Sequence, residues 1–142
     1  MFRSRKNLRH YKKNHDKGGL CPFCQSKPDL VIEESSLGYV RRNEFPYTLW
    51  EMHAVSDHLM VLPKRHVAGL SDLTKEEQSD IIAFIAKYQS AGYNVYARGE
   101  ANKLLSVPGH QHTHLIKLKP KGSWLTLSVR KPYLLINIGG ER

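Results

Sequence analysis

The chain has 142 residues, 40% of them apolar, and a net charge of +9. Its length suits one domain with a real core, because a chain of this size buries most of the surface it would expose unfolded. No stretch is long and apolar enough to span a bilayer, and the N-terminus lacks the apolar middle of a secretory signal, so a cytoplasmic protein with no membrane partner is expected.

In chain order, residues 1–19 read as a basic arm and residues 20–142 as the folded domain. Arg3, Arg5, Lys6, Arg9, Lys12, Lys13 and Lys17 face only Asp16 there, a local charge of +6. Such an arm is either a solvated tail or an attractor of phosphates, nucleic acid included. The two cysteines follow in "CPFC", Cys21 and Cys24. In a reducing compartment they form a redox pair or half of a metal site, and four-coordinate zinc would then take its remaining ligands from histidine.

Short runs rich in Val, Ile, Leu and aromatics come next: "LGYVRR", "YTLWEM", "HLMVLP", "YNVYAR", "HTHLIKL", "WLTLSVR" and "YLLINI". Each has strand length and composition. One segment differs. In "DLTKEEQSDIIAFIAKYQSAG", Thr74 followed by Glu77 fits a capping box, and Ile81, Ile82, Ile85 and Tyr88 recur at helical spacing until Gly92 can end the helix. The expected class is α+β, an antiparallel sheet with one principal helix packed on a face.

"GHQHTHLIKL" places His110, His112 and His114 at every second position. Alternate residues of a strand share a face, so the imidazoles line one surface, an arrangement suited to metal binding, phosphate binding or nucleophilic catalysis. Each buried ring nitrogen also requires a hydrogen bond or a metal.

The triplet, followed by the apolar pair Leu115 and Ile116, resembles the signature of the histidine-triad (HIT) family. The similarity extends through "RRNEFPY", "DHLMVLPKRHVAGLSDLTKEE" and "AGYNVYARGE", from Cys21 to about Leu118. The resemblance implies a HIT-like antiparallel sheet with a zinc-stapled N-terminal segment, and nucleotide chemistry. The middle histidine, His112, would attack the α-phosphorus of a nucleotide, and the covalent nucleotidyl-histidine would pass to water or another acceptor. By the same resemblance His114 orients that reaction and His58 lines the pocket, a position that suits a structural histidine equally. Zinc-containing members join a CxxC pair to the histidine of a "PxxH" turn and to the first triad histidine, which here gives Cys21, Cys24, His66 and His110 as a closed structural set.

Gln111 and Thr113 replace the usual apolar alternates, so the opposite face of this strand is expected to be partly buried or hydrogen-bonded to a neighbour. Arg98 stands where many members have asparagine, and "EANKLLSVPGH" replaces a common Ala-Gly-Gln run. Ser106 is the candidate phosphate donor and Asn43 the candidate sugar contact; a turn role is the alternative for each. His114 favours hydrolysis, since uridylyltransferases of the superfamily carry glutamine there. The expected activity is hydrolysis of a small nucleoside 5′-phosphate derivative such as a dinucleoside polyphosphate or phosphoramidate, with a purine base. Alternatives are a phosphorylase of dinucleoside polyphosphates, a nucleic-acid-directed protein using the arm, and a binding module without turnover. Relatives are commonly homodimers.

Overall fold

The computed structural model describes residues 21–25, 27–51, 53–102, 107 and 109–119, together with the backbone of 125–130 and 133–138. The arm, residues 1–19, lies outside this set. Eight strands and one α-helix follow in the order β1 (Val31–Glu34), β2 (Gly38–Arg42), β3 (Leu49–Trp50), β4 (His53–Pro63), α1 (Lys75–Ser90), β5 (Asn94–Ala97), β6 (Thr113–Leu118), β7 (Leu125–Arg130) and β8 (Tyr133–Ile138). The main sheet has the order β1-β2-β4-β6-β5, with β3 paired to the start of β4, and every pairing in it is antiparallel. β7 and β8 form a separate hairpin. The expected α+β class with one principal helix is therefore observed. No helix among the described residues is long and apolar enough to cross a membrane.

Strand alternation divides the sheet into two faces. Val40, Leu59, Val61 and Leu115 point to one side and join Val67, Leu73 and Ile81 in the buried core, with Phe84, Ile85, Tyr88 and Tyr93 packed against it. Burying one such aliphatic side chain contributes about 1.5–3 kcal/mol. The intervening residues, Arg41, His58, Met60, Leu62, His114 and Ile116, take the other side and are also buried. The helix thus covers one face, and the histidines lie on the opposite one.

The core stripe of α1 is Ile81, Phe84, Ile85 and Tyr88. Ile82, expected to belong to it, is 60% exposed, because a step of one residue rotates a helical side chain about 100° off the seam. Gly38 has no room for a side chain: a Cβ there would lie 3.0 Å from both Asp80 Oδ2 and Ile81 Cδ1, so the helix approaches β2 closely.

The capping box is present, with Glu77 N–H donating to Thr74 Oγ1 (3.2 Å) and Thr74 N–H to Glu77 Oε2 (2.8 Å). Glu77 also takes a forked contact from Arg65, Nε to Oε1 at 2.9 Å and Nη2 to Oε2 at 2.7 Å, while Arg65 Nη2 donates to the Asp72 carbonyl. The fork anchors the turn after β4, which carries His66, to the start of α1. The Arg65 hydrogen bond, and then that from the Thr74 backbone, hold the Glu77 carboxyl down to about 2. A depressed carboxyl pKa stabilises the fold above the unfolded value near 4.5 and ceases to do so as pH falls toward 2. Glu77→Gln should therefore lower Tm near neutral pH, and its deficit against wild type should shrink as both are melted at successively lower pH through that window. A deficit that does not change with pH would contradict this assignment.

Candidate functional site

β6 begins at Thr113, so His114 sits on the strand and His110 and His112 on the residues entering it. All three are buried, His110 at 2%, His112 at 6% and His114 at 3% exposure. The segment is pinned from outside by Gln111 N–H donating to the Val67 carbonyl, 2.6 Å. Gly109 precedes it at φ +81, where a Cβ would stand 3.4 Å from His66 Nε2. Glycine thus supplies both a left-handed turn and a close approach to that imidazole. The alternate residues Gln111 and Thr113 are themselves buried, at 7% and 3% exposure, so that side of the segment is closed rather than half open.

Four side chains converge at its entrance. Cys21 Sγ lies 3.4 Å from His110 Nδ1, Cys24 Sγ lies 3.2 Å from His66 Nδ1 and 3.5 Å from His110 Nδ1, and all four ligand atoms fall within 4.8 Å of one another. Tetrahedral ligation at about 2.0–2.3 Å spaces ligand atoms roughly 3.3–3.8 Å apart, so the donor set fits a metal ion. A thiol hydrogen bond would explain one of these contacts; convergence of all four atoms on a common centre is what a cation requires. His110 Nε2–H donates to the Pro63 carbonyl at 3.1 Å, which leaves the Nδ1 lone pair directed at the thiols. Burial, the leading cause, lowers the pKa of His110 and favours the neutral ring that a metal ligand needs.

His112 is fixed in the reverse sense. Its Nδ1–H donates to the His110 carbonyl, 2.9 Å, so the Nε2 nitrogen carries the lone pair. Its pKa is also lowered, first by burial, with the nearby Arg98 adding to the effect.

The protons of His58 and His114 follow from a backbone contact. The Tyr47 N–H can only donate, so His58 Nδ1 accepts from it at 3.0 Å and is unprotonated. His58 therefore carries its proton on Nε2, which donates to His114 Nδ1 at 3.0 Å. The proton of His114 is then on its own Nε2. Asn43 accepts from Phe45 N–H through Oδ1 (2.9 Å) and sets Nδ2 near both ring nitrogens of His58, 3.1 Å from Nε2 and 3.4 Å from Nδ1, so the amide lies over the ring and not in line with either in-plane position. His112 thus presents a bare nitrogen and His114 a donor, with ring centroids 5.1 Å apart.

Among the sequence candidates, the structure brings His58, His112, His114 and Asn43 to one face and gathers Cys21, Cys24, His66 and His110 at its edge. Ser106 lies outside the described residues. Several neighbours carried no signal in the sequence. The Phe23 ring, between the two cysteines, lies 5.1 Å from the His112 ring and 5.6 Å from His110. Tyr47 packs on His58 at 4.4 Å, and Trp50 stacks on Tyr47 and meets Tyr96 edge-on.

No protein-family model matches the sequence. Among curated proteins, the chain is 29% identical over 103 residues to proteins described as AP-4-A phosphorylase from two strains of Mycobacterium tuberculosis. That match covers 67% of this chain and 49% of the relatives, so the chain spans about half their length. Among solved structures, a histidine triad protein from Clostridium difficile superposes with a TM-score of 0.54 at 21% identity, covering 73% of this chain and 95% of that one. A histidine triad nucleotide-binding protein from Candida albicans gives 0.52 at 20% identity, covering 78% and 87%. The chain thus has the fold of these histidine triad structures, and three alternating histidines enter and occupy its β6.

Proposed function

We propose that the chain breaks the bond between the α-phosphorus of a nucleotide and its leaving group through a covalent intermediate on His112. The observation that carries this reading is a pair of contacts, His112 Nδ1 with the His110 carbonyl and His114 Nδ1 with His58 Nε2, which assign a lone pair to His112 Nε2 and a proton to His114 Nε2. His112 Nε2 attacks phosphorus, and the bond to the leaving oxygen or nitrogen breaks with its electron pair staying on that atom. His114 Nε2–H donates a hydrogen bond to the phosphoryl oxygens and offsets the charge that builds there, while a phosphate leaving group departs as its anion and an amine takes its proton from solvent. Water, or inorganic phosphate in a phosphorolytic cycle, then attacks the same phosphorus, the P–N bond breaks with its electron pair returning to His112 Nε2, and the proton released passes to solvent. His58 and the Tyr47 backbone hold His114 in the tautomer that can donate. Asn43, which lies beside His58, contacts the sugar in this reading.

The four-ligand set is proposed to hold zinc, the ion that two thiolates and two neutral imidazoles suit best. Its chemistry here is structural: a closed ligand set offers no position to substrate. It fixes His110, whose carbonyl orients His112.

Hydrolysis is the favoured outcome and phosphorolysis the alternative suggested by the curated relatives. Incubating the protein with dinucleoside polyphosphates and nucleoside phosphoramidates, with and without inorganic phosphate, separates the two by product. Hydrolysis predicts a nucleoside monophosphate whether or not phosphate is present. A nucleoside diphosphate formed only with phosphate would establish phosphorolysis, and no turnover of any member of the panel would contradict both.

A further inference from the structure

Arg41 is an ionised side chain at 3% exposure whose Nε has no hydrogen-bond partner among the described residues. Buried polar groups are almost always satisfied, so an orphaned donor points to an acceptor that arrives with something else. Its place narrows what that is. Arg41 pairs with Met60 across β2 and β4, and Met60 pairs with His114 across β4 and β6, so the three form one row on the histidine face. Two strand spacings, roughly 10 Å, separate Arg41 from His114, about the reach of a sugar between phosphate and base. Asn43, two residues after Arg41, lies in the next row of that face beside His58.

Phe23 joins the two ends. Its ring, 5.1 Å from the His112 ring, has the Arg41 guanidinium over it at 5.7 Å. Tyr39 OH donates to the Phe23 carbonyl at 3.0 Å and fastens the CPFC loop across this part of the face. A planar ligand group seated beside this pair would meet an aromatic ring and the donors of a guanidinium together. The Glu44 carboxylate, held by Lys27 at 2.5 Å, stands 3.9 Å from Arg41 Nη2, so Arg41 has a shared countercharge within reach while its Nε lacks an acceptor among the described residues.

Resting on the nucleotide reading above, we propose that Arg41 recognises the base and selects guanine over adenine. A guanidinium has donors only. Guanine presents two adjacent acceptors, O6 and N7, whereas adenine sets an amino donor beside N7, which would oppose the fork.

The test is equilibrium binding of GMP, AMP and IMP to the full chain with its metal. Wild type should bind GMP about tenfold more tightly than AMP, the scale of one forked base contact, and IMP, which keeps O6 and N7, should resemble GMP. Arg41→Met, of similar volume, should bring the GMP to AMP ratio near one while leaving AMP affinity almost unchanged. Equal binding of GMP and AMP by wild type, or IMP behaving like AMP, would overturn the assignment and leave the nucleotide reading intact. Failure of all three to bind would overturn both. If Arg41→Met does not fold, the IMP comparison in wild type still decides.

Discussion

Replacing His112 with asparagine should reduce turnover by three orders of magnitude or more, on the order expected when an attacking group is removed rather than displaced. No neighbour can take over. His110 Nδ1 faces the thiols, His114 Nδ1 is occupied by His58, and the backbone entering β6 fixes the direction of each ring. Asparagine keeps a short polar side chain, so nucleotide affinity should change far less than rate. His114→Ala should slow the formation of any adduct without abolishing it, since the lone pair on His112 Nε2 depends on the His110 carbonyl and not on His114. Steady-state kinetics of both variants, with melting curves as a control for folding, check this pair of outcomes. A His112→Asn protein that retains more than a few per cent of the wild-type kcat would refute the assignment.

The second large effect concerns the four-ligand set. Cys24→Ser or His66→Ala should abolish tight zinc binding and lower Tm by roughly 10 °C or more, because metal affinity that exists only in the folded state is folding energy. A strong chelator should reproduce the shift in wild type and produce little further shift in the variants. Nucleotide affinity should fall as well, since the cysteines flank Phe23 and the same loop carries its ring to His112 and Arg41. Zinc content measured by mass spectrometry alongside Tm decides it. Metal-free protein as stable as the loaded form would show that the four side chains meet for another reason.

Much of this was legible in the sequence because it resides in local patterns. Thr74 and Glu77 announce a helix start through side-chain to backbone hydrogen bonds that need no tertiary partner, and the period of the histidines is the period of a strand. Other features depend on distant contacts. "YTLWEM" has the composition of a strand, yet only Leu49–Trp50 pairs, because Glu51 at φ 45 turns the chain back into a β4 that begins five residues before "HLMVLP". β1 was not anticipated; it is a short edge strand that leaves Val31 and Ile32 exposed, so no alternation marks it. Arg41 is the clearest case. Beside Arg42 it looks like one of two surface cations, and only the register with Met60 and His114 turns it inward. The tautomers of the site are similarly hidden, since they rest on the Tyr47 N–H and the His110 carbonyl, backbone groups on which side-chain identity gives no information.

The most direct test of the mechanism is to mix metal-loaded wild-type protein with its best substrate, quench on the millisecond scale without acid, and measure intact and peptide masses. The mechanism predicts a transient increment of one nucleoside monophosphate residue, mapped to His112 and absent from His112→Asn. Turnover at full rate with no adduct at any time, or an adduct mapped to His58 or His114, would contradict it.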